Sequence, residues 1–289
     1  MLRTLIKTMR PHQWTKNAFL FAALVFDGKL FHLSDFLRTL AGFVLFCVIS
    51  SAVYIFNDLL DVEADRQHPV KKNRPIASGK LPVRVATAAG ATLSLLAILI
   101  GYLLAWPFAL TIIVYLAMML AYSKWFKHVP ILDVLILAAG FVLRVHAGTT
   151  LIMVERFSPW LYVLMTLLAL YLGFGKRRAE LDLLADAATY HRKVLDGYTI
   201  PLLDQFITIV SGTTIVAYSL YTFFRPETPG SHALMLTIPF VIYAIFRYLY
   251  LIQVKQIGGE PEEILLSDRP FQISIFLWGL AVLAVFYLT

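Results

Sequence analysis

Cysteine occurs once in this chain of 289 residues, and that thiol, Cys47, lies inside an apolar run. A disulfide framework and a cysteine metal site are both excluded. Charge is scarce as well: 15% of the residues are Asp, Glu, Lys or Arg, against 59% hydrophobic, and the mean hydropathy is +0.74. That balance belongs to a polytopic membrane protein rather than to a soluble domain with a large core. Low-complexity tails and linkers are missing, so 1–289 reads as one domain. Arg3, Lys7, Arg10 and Lys16 precede an apolar stretch in the manner of a signal peptide, but no small-residue cleavage site follows it. A retained first helix is therefore expected.

What the chain has in quantity is apolar runs, at roughly 17–33, 36–65, 84–105, 108–124, 131–150, 159–176, 200–224, 232–254 and 271–288. Each is a candidate transmembrane helix, the first being the weakest. The net charge of +7 does not call for a nucleic-acid partner. The basic residues cluster between the apolar spans, a pattern that the positive-inside rule explains. Most of the 25 basic residues share the side of the N-terminus, while Lys29, Arg38, Arg156 and Arg225 stand opposite. A multi-pass protein of the cell membrane with a cytoplasmic N-terminus is expected.

Acidic residues gather where the run 43–56 ends. There the chain reads Asn57-Asp58-Leu59-Leu60-Asp61-Val62-Glu63-Ala64-Asp65. Carboxylates at the end of a lipid-embedded helix are expensive and need a function or a partner. In a continuous helix Asn57, Asp61 and Asp65 follow at i, i+4 and i+8, within an arc of about 80°. Oxygen ligands on one face, with open positions, suit Mg²⁺ shared with substrate phosphates. The loop beyond supplies Lys71, Lys72 and Arg74 for the same phosphates. Tyr54 lies on the same arc, where its hydroxyl can reach a phosphate or ribose oxygen. The competing reading is a solvated acidic helix end followed by a basic loop.

Two further places hold charge inside apolar surroundings. Asp133 and Arg144 stand eleven residues apart, on one helix face to within about 20°. Arg144 lies so deep in its run that it needs a partner or a wet cavity. A structural ion pair and the binding of a phosphate or a catalytic carboxylate are both open to it. In the second place, taking Lys176 as 0°, Glu180 falls at about 40° and Arg177 at about 100°, whereas Asp182 and Asp186 fall at about 240° and 280°. Arg178, at about 200°, is set to pair with Asp182 at i, i+4.

The stretch 57–79 resembles the NDxxDxxxD motif of the UbiA superfamily of intramembrane prenyltransferases. Its continuation, HPxKxxRPIASG, is similar to the branch that contains decaprenyl-phosphate phosphoribosyltransferase. Residues 10–17 resemble the RPxQWxKN opening of that branch, 176–181 its KRxAEL, and the loop 258–270 is again similar. The resemblance implies an all-α integral membrane bundle of about nine transmembrane helices with a polar cavity facing the cytoplasm. It also implies Mg²⁺-dependent transfer of 5-phosphoribosyl from phosphoribosyl diphosphate (PRPP) to a polyprenyl phosphate, with release of diphosphate. Lys16 then contacts substrate phosphate, Tyr122 and Lys124 lie beside the diphosphate, and Lys176, Arg177 and Glu180 belong to the site. Asp182 and Asp186 stay outside it. That departure from the superfamily's usual second aspartate-rich motif argues against a prenyl diphosphate donor. The rivals are an aromatic prenyltransferase making quinone or haem precursors and, from another class, an anionic-lipid transporter. A transporter would need an internal repeat and discontinuous helices, and no clear repeat is present.

Overall fold

Apolar runs that leave water must satisfy their own peptide groups, and the helix does so within one segment. The computed structural model describes residues 1–155, 158–185, 193–224, 232–256, 264 and 267–287, and they form helices and connecting turns with no strand among them. In chain order the α-helices are α1 Leu2–Met9, α2 Phe21–Phe26, α3 Leu33–Leu60, α4 Val62–Gln67, α5 Val83–Leu104, α6 Trp106–Lys124, α7 Leu132–Thr149, α8 Trp160–Ala185, α9 Ile200–Phe224, α10 Ile238–Gln253 and α11 Arg269–Tyr287. Among the described residues seven are long and apolar enough to cross a membrane: α3, α5, α6, α7, α9, α10 with its 3₁₀ lead-in, and α11.

Two of the nine expected spans come out differently. The first run becomes a 3₁₀ segment, Pro11–Leu20, and the short α2, because its apolar stretch is too brief for a full crossing. The sixth is present as α8, but it runs on past residue 176 to Ala185, and those last turns carry Lys176, Arg177, Arg178, Glu180 and Asp182. The helix expected over 36–65 also breaks. Asp61 takes φ −96° and ψ 5°, and α4 starts after it.

The described residues fall into two compact units. The first takes in Met1–Lys127 and Gly140–Glu155, the second His128–Ala139 and Arg156–Thr289. In the first unit α3 packs against α1, the 3₁₀ segment, α5 and α6, with Phe46, Ile49, Ala52 and Ile55 fully buried. A Cβ at Gly148 would collide with the Leu20 carbonyl oxygen, so only glycine lets α7 approach the 3₁₀ segment there. In the second unit α8 packs along α9, and α10 along α11. Val134 fills the space that a side chain at Gly173 would need, which seats the start of α7 against α8. Outward rows such as Leu96, Leu99 and Leu103 of α5, or Ile273, Phe276 and Leu280 of α11, are exposed. Such apolar faces are at home against hydrocarbon.

Candidate active site

The acidic motif keeps its one-turn stepping across the break in the helix. The Asp61 N–H donates to the Asn57 carbonyl (3.0 Å) and the Asp65 N–H to the Asp61 carbonyl (2.8 Å). The side chains nevertheless divide into two groups. Asp58 and Asp65 are 3% exposed, and Arg74 Nη1 donates to Asp65 Oδ2 at 2.7 Å and to Asp58 Oδ1 at 3.2 Å. Arg10 Nη2 reaches the same Asp58 oxygen at 2.6 Å, its guanidinium 4.9 Å from the centre of the Tyr54 ring. Asp61, more open, pairs through Oδ1 with Lys127 Nζ. The half-buried Asn57 amide makes no hydrogen bond among the described residues. Every carboxylate of the motif helix that is buried or half-buried therefore faces a cation from another segment, as burial of an anion requires.

The loop after the motif is shaped by its own residues. α4 stops at His68, which is extended before Pro69, the conformation a following proline favours. His68 Nδ1 accepts the backbone N–H groups of Val70 and Lys71, each at 3.2 Å. Burial first, then the Lys71 ammonium, holds this imidazole below its usual value. Gly79 closes the loop at φ +76°, where a side chain would be strained.

The other expected residues of the first unit are placed as follows. Lys16 is half-buried on the 3₁₀ segment and Lys71 is exposed at the motif loop. Tyr122 is buried near the end of α6, and Lys124 lies over the Trp125 ring, 4.8 Å from its centre. Lys127, three residues further, is the cation that reaches Asp61. Arg144 is buried and donates to Asn17 Oδ1 (2.9 Å), the Gly140 carbonyl (2.8 Å) and the Tyr115 hydroxyl (2.8 Å). Its guanidinium also sits near the faces of Phe46, Tyr115 and Phe141. The ion pair with Asp133 that helix geometry allowed is not the one formed.

Asp133 instead anchors the second unit's cluster. It is fully buried, and Arg177 Nε donates to its Oδ2 at 2.7 Å while Arg177 Nη1 reaches Glu180 Oε2 at 2.6 Å. The Tyr198 hydroxyl donates to Asp133 Oδ1 (2.7 Å) and accepts the Ile131 N–H (2.6 Å). Burial first, then the bond to Asp133, pushes that hydroxyl's pKa up, so it stays a donor. The same bonds hold Ile131 at φ +70°, a costly conformation for a β-branched residue. Lys176 is half-buried one position earlier on α8. Arg178 pairs with Asp204 at 2.7 Å and more loosely with Asp182 at 3.8 Å. Asp186 lies outside the described residues.

Asp58, Arg10, Lys127, Asn17 and Tyr198 were not singled out from sequence. Asp58 was legible as a member of the motif, but it stands about 100° round from Asn57 on the helix. Lys127 and Tyr198 lie in turns with no periodic signal.

An all-helical membrane protein whose buried carboxylates are balanced by cations from separate segments is the class that fold and site define. The UbiA prenyltransferase family matches residues 18–263, and the chain belongs to it. It is 36% identical to a decaprenyl-phosphate phosphoribosyltransferase of Mycolicibacterium smegmatis, over 95% of this chain and 89% of that one. The corresponding protein of Corynebacterium glutamicum is 34% identical, over 98% of this chain and 87% of that one. Among solved structures, a UbiA homolog from Archaeoglobus fulgidus bound to DMAPP and Mg²⁺ superposes with a TM-score of 0.74 at 19% identity, covering 99% of this chain and 100% of that one.

Proposed function

We propose that this protein transfers 5-phosphoribosyl from PRPP to the phosphate of a polyprenyl lipid of the decaprenyl type, releasing diphosphate. The observation that carries the reading is similarity along nearly the whole chain to decaprenyl-phosphate phosphoribosyltransferases, and the charge arrangement of the first unit agrees with it. The lipid phosphate oxygen bonds to the ribose carbon as the bond from that carbon to the diphosphate breaks, its electron pair leaving with the diphosphate. The acceptor is already an anion, so no strong general base is needed, and positioning with electrostatics can carry the step.

The donor set suits Mg²⁺ in its chemistry: the Asn57 amide oxygen and the Asp61 and Asp65 carboxylates are hard oxygen ligands at one-turn steps along the chain, while among the described residues no three acidic side chains gather as a metal cluster. When bound there, the ion supplies stabilisation of negative charge on the leaving diphosphate. Asp61 and Asp65 now face Lys127 and Arg74, which a metal would free to take phosphate oxygens. Lys16, Lys71 and Lys124 add charge for the donor's phosphates, and Tyr54 and Tyr122 add hydroxyls. Arg144, held by Asn17 and Tyr115, supplies a fixed positive field within the first unit. In the second unit Lys176 is assigned the same anion-binding chemistry, beside an Arg177 fixed by Asp133 and Glu180. A single working domain is supported by a family match that runs through both units. A cytoplasmic N-terminus in the cell membrane is supported by the skew of basic residues.

Purified protein, ribose-labelled PRPP, Mg²⁺ and a polyprenyl phosphate should yield label in the organic-extractable lipid. No transfer from PRPP, together with prenylation of a 4-hydroxybenzoate-like acceptor, would move the chain to the aromatic prenyltransferases.

A further inference from the structure

The first helix, α1, has distinct faces. At 100° per residue, Thr4 and Thr8 point one way, and Thr8 is buried. Leu5 and Met9 turn toward the small core of Ile55, Ile76, Leu81 and Ala86. Leu2 and Ile6 continue that apolar arc into the open, 72% and 46% exposed. Arg3 and Lys7 form an exposed basic edge. This is the pattern of a helix that lies in a membrane interface.

Between α1 and the first half of α5 runs an open groove of about 560 Å³. Leu5 and Met9 form one wall, Val85 and Leu93 part of the other, and Ala88 is too short to fill the space; Arg84 stands along it. Arg84 is exposed and makes no ion pair among the described residues, as is true of Arg3 and Lys7. The nearby buried carboxylates, Asp58 and Asp65, are engaged by Arg10 and Arg74. An apolar trough beside uncompensated cations, on a chain that spans membranes, is complementary to one hydrocarbon chain joined to an anionic head.

We propose that this groove binds an anionic phospholipid of the surrounding membrane, its acyl chain along Leu5, Met9, Val85 and Leu93 and its phosphate on Arg84. The seat has a consequence for the acidic motif. α1 ends in Arg10, whose left-handed backbone (φ 53°) turns the chain and whose guanidinium meets Asp58. A lipid against α1 thus steadies the arm that delivers Arg10. The proposal requires the membrane fold but not a particular reaction, so it stands or falls apart from the phosphoribosyl reading.

The test is native mass spectrometry and thermal unfolding of the full chain in detergent, with phosphatidylglycerol or phosphatidylcholine added. Phosphatidylglycerol should be retained about tenfold better and raise the unfolding temperature by several degrees, as binding to the folded state alone demands. Arg84→Glu should erase the preference, and Ala88→Trp, which fills the floor, should abolish retention. Equal retention of the two lipids by the unaltered protein would overturn the proposal. So would a phosphatidylglycerol preference that survives Arg84→Glu, the variant that decides the matter if Ala88→Trp does not fold. Displacement of phosphatidylglycerol by an equimolar polyprenyl phosphate, lost in Ala88→Trp, would overturn it too and assign the groove to the acceptor lipid.

Discussion

Asp58 and Asp65 share one guanidinium while Asp61 stands apart with an ammonium, so the motif's carboxylates sit in two environments. Asp61 is the more open of the three, and the proposed metal would take the place of Lys127 on it. Asp61→Asn should lower turnover by about 10²–10³, the scale of losing one preorganised electrostatic contact, with the folded protein still recovered in detergent. Full activity of the unaltered enzyme in excess chelator would remove the metal from the mechanism. Asp133 is the corresponding fixed point of the second unit, bonded to Arg177 and Tyr198. Asp133→Ala takes one of two carboxylates from the buried Arg177 guanidinium and the acceptor from the Tyr198 hydroxyl, and should cost about 3–5 kcal/mol of stability. Tyr198→Phe, which leaves one carboxylate oxygen and one N–H unpaired, should cost about 1–3 kcal/mol. Unfolding temperatures of the two variants compared with the parent would check the order.

At the scale of elements, α8 and the motif loop each carry a prediction. α8 sends Arg177 and Glu180 into the Asp133 cluster and Arg178 and Asp182 toward Asp204, two faces of one helix. Lys176→Ala and Glu180→Ala should therefore damage turnover far more than Asp182→Ala. Dead Asp182 variants beside active Lys176 and Glu180 variants would restore the usual second aspartate-rich motif. In the loop, His68 must be neutral at Nδ1 to accept two N–H groups. Its folded-state pKa lies below the ordinary 6.5. The loop's contribution is then whole above about pH 6.5 and is lost as the pH falls through the lower folded value. Activity should show an acid limb in that window, and His68→Asn, which keeps an acceptor that does not titrate, should flatten it. An unchanged limb in the variant would place the titration elsewhere.

For the molecule as a whole, the donor decides how cations must be distributed. PRPP carries phosphates at both ends of a polar sugar, and each must be compensated as it leaves water. Lys16, Lys71, Lys124 and Arg144 come from four separate segments of the first unit, and Lys176 from α8 of the second. Purified protein should bind PRPP in an Mg²⁺-dependent way without lipid acceptor, measurable by calorimetry. Diphosphate should appear only when polyprenyl phosphate is added. Release of diphosphate from PRPP and water alone would mean that the lipid phosphate is not the obligatory nucleophile.

The sequence by itself determined the class, the helices and the acidic motif. Apolar runs are local, a helix satisfies its peptide groups in lipid within its own segment, and the spacing of Asn57, Asp61 and Asp65 is counted along one stretch of chain. It also separated Glu180 from Asp182, because both lie on one regular helix. The tertiary structure decided which charges meet: Arg10 and Arg74 on Asp58, Lys127 on Asp61, Arg177 rather than Arg144 on Asp133. Those partners come from turns and from segments far apart in the chain, where no periodicity reports position. It also decided that the motif helix breaks at Asp61 and that the first run folds as a 3₁₀ segment followed by a short helix. The physical reason is the same throughout: local bonding sets an element, whereas the partner of a buried charge is set by whichever cation the packed helices bring within reach.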